Sequence, residues 1–144
     1  MVGKIIFQSA SYDLSPEGEW RNLPSDQAWL KSIHQTLEAW FDGSDLMSLQ
    51  RSGTTGTPKT ITIQKSNMAL GAQLTAQHFD LKPGTEALLC LPAEYIAGKM
   101  MLVRSIVNAW NLHLIPPSSA PLQYHLPSFD FAALTPMQFQ KSKA

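Results

Sequence analysis

The sequence is short of cysteine, of charge and of long apolar runs, and each shortage narrows what the chain can be. Its 144 residues hold one cysteine, Cys90. A single thiol closes no internal disulfide and builds no zinc framework. Set in the apolar run Ala87-Leu88-Leu89-Cys90-Leu91, it reads as a buried structural thiol in a reducing compartment. Charged residues make up 15% and cancel to a formal net charge of +0, without the basic excess of a nucleic-acid surface. No apolar stretch has the length of a membrane span, and the opening residues hold only a short apolar triplet, too brief for a signal-peptide core. A soluble, cytoplasmic protein is the expectation. With 44% hydrophobic residues the chain is globular, and long enough for one domain that buries roughly two thirds of its unfolded surface.

What is present alternates. Residues 5–7 read as a short strand, followed by a polar loop through Ser11, Ser15, Pro16 and Gly18. Ser25 or Asp26 is placed to cap a helix whose apolar side is Trp29, Ile33, Leu37, Trp40 and Phe41. An extended segment over 46–50 and the β-branched run Thr60-Ile61-Thr62-Ile63 flank a small polar loop. Ser66 is expected to cap a second helix reaching about Phe79. Further strands are expected over 86–91, 112–115 and 131–134, with a third helix over 95–110 and a fourth from Pro136. Pro83-Gly84 and Pro116-Pro117 punctuate them. Strands alternating with helices predict an α/β fold with a largely parallel sheet and flanking helices. The chain stops at Ala144 as that last helix begins, an ending expected of a truncated chain.

The small polar loop carries the chemistry. Ser52-Gly53-Thr54-Thr55-Gly56-Thr57-Pro58-Lys59 packs hydroxyls, glycines and a lysine into one octet. Hydroxyls and bare N–H groups donate to phosphate oxygens, glycines let the backbone approach, and lysine adds a point charge. It is not the phosphate loop of nucleoside-triphosphatases, where glycine precedes the lysine. Here Pro58 precedes Lys59, and a proline has no N–H to add to a nest of donors. No G-x-G-x-x-G is present either, which removes the dinucleotide reading.

The octet resembles the phosphate-loop motif of the adenylate-forming superfamily: acyl- and aryl-CoA synthetases, adenylation domains of peptide synthetases, and luciferases. The central eight residues match that motif, while Arg51 stands where the family has a hydroxyl residue and Thr60 where it has glycine. The order of later features is similar too: the strand at Ile61–Ile63, Asn67, the Lys82-Pro83-Gly84 turn, Leu91-Pro92, then Tyr95-Ile96-Ala97-Gly98 where the family places an aromatic or histidine before a glycine. Residues 46–138 thus resemble one continuous piece of the large N-terminal domain. Within the superfamily, Leu91-Pro92-Ala93-Glu94-Tyr95-Ile96-Ala97-Gly98-Lys99-Met100-Met101 looks most like short o-succinylbenzoate–CoA ligases of menaquinone biosynthesis.

The resemblance implies an AMP-forming reaction in two steps. A carboxylate attacks the α-phosphate of ATP to give an acyl-adenylate and pyrophosphate, and the thiol of coenzyme A then displaces AMP. Ser52, Gly53, Thr54, Thr55, Gly56, Thr57 and Lys59 would hold the β- and γ-phosphates, with Mg2+ beside them. Tyr95 and Gly98 would either wall the acyl pocket or pack. Lys99 would either meet a second substrate carboxylate, with Arg104 one to two turns on, or be a solvated helix cation, the reading its position favours. The family's aromatic-Gly-x-Thr-Glu run, its ribose-holding aspartate and its small C-terminal lysine-bearing domain are not found, so residues 1–144 are expected to form a partial N-terminal domain, inert alone and able to pair as a homodimer. A non-catalytic nucleotide- or anion-binding module and a peptide-synthetase adenylation domain are the alternatives. His34, His78, His113 and His125 show no spacing that suggests a metal site or a triad.

Overall fold

Gln8 and Ser9 both take positive φ, 49° and 66°, and this two-residue reversal starts the fold. It turns β1 (Lys4–Phe7) back into β2 (Ala10–Asp13) as an antiparallel hairpin pairing Phe7 with Ala10. Paired positive φ values are the geometry that matches the twist of hairpin strands. A computed structural model provides the description, covering residues 1–51, 59–121 and 128–141.

The main sheet has the order β2-β1-β6-β5-β7. Its later strands are β5 (Glu86–Leu89), β6 (Asn111–Leu114) and β7 (Phe131–Ala132). β1 pairs parallel with β6, β6 with β5, and β5 with β7, so only the β2 edge is antiparallel. The expected largely parallel α/β sheet is what the chain forms. Ile5 and Ala87 both stand opposite Leu112 in register, so Ile5, Phe7, Ala87, Leu89, Leu112 and Leu114 share the face that builds the larger core. Onto it pack Leu30, Ile33 and Leu37 of α1 (Ala28–Trp40) and Met101 and Leu102 of α3 (Ile96–Asn108). Cys90 is fully buried, and burial pushes its thiol up to about 11, as expected of a structural cysteine.

A second, smaller core positions the loop. β3 (Leu46–Arg51) and β4 (Lys59–Gln64) form a separate antiparallel pair, in register from Leu46↔Gln64 to Arg51↔Lys59. Met47 and Leu49 turn inward against Met68 and Ala72 of α2 (Lys65–His78) and Val103 of α3, while Ser48 and Gln50 alternate outward. Burying Met47 and Leu49 contributes on the order of 1.5–3 kcal/mol each, enough to fix the hairpin on the helices.

Several boundaries differ from the sequence reading. The polar loop after residue 7 contains β2 and a 3-10 turn, Glu19–Asn22, whose Trp20 is fully buried. α1 is not capped by Ser25 or Asp26; it begins after the extended Gln27, whose carbonyl accepts from the N–H groups of Leu30 and Lys31. Ser66 does not cap α2 either. The helix starts one residue earlier, where the Lys65 N–H donates to the Asp45 carbonyl at 2.9 Å. α3 stops at Asn108 rather than Trp110, because Ala109 adopts a left-handed conformation and the Trp110 N–H closes on the Ser105 carbonyl at 3.1 Å. β5 is two residues shorter than expected, and β7 keeps only the first half of its expected strand. α4 (Pro136–Lys141) begins where its proline predicted, with Thr135 and Gln138 bonding each other's backbone N–H groups as a capping box.

Candidate nucleotide-phosphate site and the adjoining recess

The β3–β4 ladder sets the site. Because Arg51 pairs with Lys59, the chain leaves one strand and re-enters the other at facing positions. Ser52, Gly53, Thr54, Thr55, Gly56 and Thr57 lie outside the described residues, as does Pro58. Lys59 is described: it is the first residue of β4 and is exposed. Met47 and Leu49 anchor the hairpin whose facing ends are Arg51 and Lys59.

Tyr95, Gly98 and Lys99 share the start of α3 but point three ways. Tyr95 is the extended residue before the helix, with φ −107° and ψ 161°, and is 46% exposed. Gly98 presses on the Pro92–Ala93 backbone, where an added Cβ would meet the Pro92 carbonyl. Lys99 is not the solvated helix cation its position favoured. Its Nζ turns back to α1, donating to the Ala93 carbonyl at 2.8 Å and to Thr36 Oγ1 at 3.1 Å. Burial pulls its pKa below the usual lysine range, and the nearby Glu94 carboxylate opposes that pull. Arg104 does not join Lys99. Its guanidinium lies 5.8 Å from the Phe131 ring at the β7 edge and donates to Met101 Sδ at 3.4 Å.

Between α1, β3 and the start of α3 lies a polar recess of about 360 Å³, lined by Ser32, Gln35, Ser48, Gln50, Glu94 and Lys99. Ser32 Oγ donates to Glu94 Oε1 at 3.4 Å, and Thr36 Oγ1 donates to the Ser32 carbonyl at 2.9 Å. Sequence reasoning missed Ser32, Gln35, Ser48, Gln50 and Glu94. The signal was available in part, since Ser48 and Gln50 alternate with Met47 and Leu49, and Ser32 and Thr36 stand four apart on α1. A larger recess, about 860 Å³, lies between Trp40 and the start of α2, at the end of the hairpin opposite the loop. His113 sits 3.0 Å from Glu86 Oε1, with Asn111 donating to the other Glu86 oxygen at 2.7 Å, a lattice tying β5 to β6. Among the described residues no three His, Cys, Asp or Glu side chains gather as a metal cluster, and no helix is long and apolar enough to cross a membrane.

A mainly parallel sheet with α1 and α3 packed on it and a detached hairpin on α2 form a mixed α/β fold that matches a fragment of an AMP-ligase N-terminal domain. The solved structure of an acyl-CoA synthetase (AMP-forming)/AMP-acid ligase II-like protein from Dyadobacter fermentans DSM 18053 superposes with a TM-score of 0.77 and 36% sequence identity, over 85% of this chain and 35% of that one. Over most of its own length the chain is thus similar in both sequence and fold to an AMP-forming synthetase-like protein. It spans about a third of the length of that protein. No protein-family model matches the chain, and a comparison with curated proteins returns no match.

Proposed function

We propose that the chain is the phosphate-gripping part of an AMP-forming acid–thiol ligase. The observation that carries this reading is the Ser52–Lys59 octet at the end of the β3–β4 hairpin, in a fold 36% identical to an AMP-forming synthetase-like protein. The hydroxyls of Ser52, Thr54, Thr55 and Thr57 and the amides at Gly53 and Gly56 would hold the β- and γ-phosphates of ATP. Lys59, exposed at the start of β4, would add its charge as pyrophosphate departs. Donors aimed at charge that grows in the transition state contribute a few kcal/mol each, roughly 2.7–4 for a well-placed one. Mg2+ would accompany the ATP phosphates. Coenzyme A would be the thiol acceptor.

The acid is proposed to be o-succinylbenzoate, on the run from Leu91 to Met101, with the exposed Tyr95 at the mouth of the acyl pocket. A cytoplasmic reaction suits the reduced, buried Cys90. Titrating the chain with ATP, pyrophosphate and AMP in the presence of Mg2+ tests the phosphate grip. ATP and pyrophosphate should compete for one site, and AMP, which lacks the β- and γ-phosphates, should not displace them. Equal displacement by sulfate would mean a general anion site and defeat the proposal.

A further inference from the structure

Lys99 holds a half-buried ammonium with no carboxylate in ion-pair contact among the described residues. Its two partners, the Ala93 carbonyl and Thr36 Oγ1, are neutral acceptors. An ammonium has three N–H donors, so one remains. The recess it faces offers donors from both sides: the Gln35 amide from α1, and the Ser48 hydroxyl and Gln50 amide from β3, while the single Ser32 proton is taken by the Ala28 carbonyl or Glu94. At about 360 Å³ it falls at the small end of the range for small-molecule sites. Taking a lysine charge part-way out of water without an anion is unfavourable, and an anion bonded to it removes that penalty.

The geometry points to a carboxylate-binding site in this recess, with Lys99 as the charged anchor and Gln50 and Ser48 as neutral donors. A carboxylate matches the set because each of its oxygens accepts two bonds, and the recess supplies donors on opposite walls. Glu94 is the one group that opposes it. That side chain is exposed and its charge is screened, so it lowers affinity without closing the site. Gln50 immediately precedes Arg51, from which the phosphate loop departs, so β3 links the two sites. The ligand class is a small organic acid. The inference rests on the ligase reading only in taking this acid as the substrate; the carboxylate held here is then not the one activated, because an ammonium and amides drain its nucleophilicity.

The test is titration of the chain with succinate, followed by the NMR resonance of Lys99 Nζ, against sodium chloride at matched ionic strength. Succinate should give a saturable shift that chloride does not. Lys99→Met should weaken binding by about tenfold or more, the loss expected for a hydrogen bond to a charged group. Gln50→Leu, on the outward face of β3, should weaken it as well and serves if the lysine variant does not fold. Glu94→Gln should tighten binding, a change that no purely structural role for the recess produces. No saturable shift, unchanged binding in Gln50→Leu, or weaker binding in Glu94→Gln overturns the inference. ATP titrated into the same samples separates the two readings. ATP bound without succinate sinks the carboxylate site and leaves the ligase reading; succinate bound without ATP does the reverse.

Discussion

Gly98 lies so close to the Pro92 carbonyl that no side chain fits between them. A Cβ there would stand 2.6 Å from the Pro92 carbonyl carbon and 3.0 Å from Ala93 Cα, backbone atoms that have no rotamer to escape into. Gly98→Ala should therefore destabilise by about 1–3 kcal/mol, read as a lower urea midpoint at unchanged slope. Gly71 on α2 is the control. Its added Cβ would meet only the end of Met100, at 4.0 Å, so Gly71→Ala should stabilise by about 0.5–1 kcal/mol through helix propensity. Equal effects at the two glycines would show that α3 is not seated on the Pro92–Ala93 turn.

Two fully buried tryptophans should answer differently to the same substitution. Trp20 Nε1 donates to the Ser15 carbonyl at 2.7 Å, and its ring stacks on Phe41 at 5.9 Å. Trp110 Nε1 is buried with no partner among the described residues. Trp20→Phe removes one of two bonds to the Ser15 carbonyl, which keeps the Gly18 N–H at 2.9 Å, and should cost about 0.5–1.5 kcal/mol beyond the lost volume. Trp110→Phe removes an unpaired donor, so its cost should be smaller. Paired unfolding curves check this, and a larger loss at position 110 would contradict it.

Acid stability should carry the mark of Asp42. The Lys65 ammonium donates to its Oδ1 at 2.8 Å, and the Ser44 N–H donates to the same oxygen at 2.8 Å. The Lys65 bond is the main reason the carboxyl falls from 3.8 to about 2. A depressed folded-state pKa means that the stabilisation is fully present above about pH 3.8 and is lost as pH falls toward 2. The Tm gap between the native chain and Asp42→Asn should narrow across that window. A gap that stays constant would show that the Asp42–Lys65 link adds nothing to stability.

The sheet and helices were legible because their signals are local. Ile5 and Phe7, the run at 86–91 and the spacing of Ile33 and Leu37 each announce a buried face. What was missed lies where the backbone does something its residues do not advertise. Gln8-Ser9 is no recognised hairpin dipeptide, yet both residues take positive φ and create β2. Ala109 is not glycine or asparagine, yet it adopts the left-handed conformation that ends α3. Tertiary partners decide such places. The octet stands out in the sequence by its residue types alone, whereas the recess beside Lys99 does not, because Ser32, Gln50 and Glu94 meet only after α1, β3 and α3 pack.

The central claim is that the Ser52–Lys59 loop on the β3–β4 hairpin holds the phosphates of ATP. Titration of ATP with Mg2+ into the native chain and into Lys59→Ala tests it most directly, with 31P NMR reading the nucleotide. The account predicts that the native chain shifts the β- and γ-phosphate resonances more than the α-phosphate, and that Lys59→Ala binds about tenfold or more weakly, as for a lost charge-assisted bond. ATP that leaves its phosphate resonances unmoved, or binds the variant as tightly as the native chain, would contradict it.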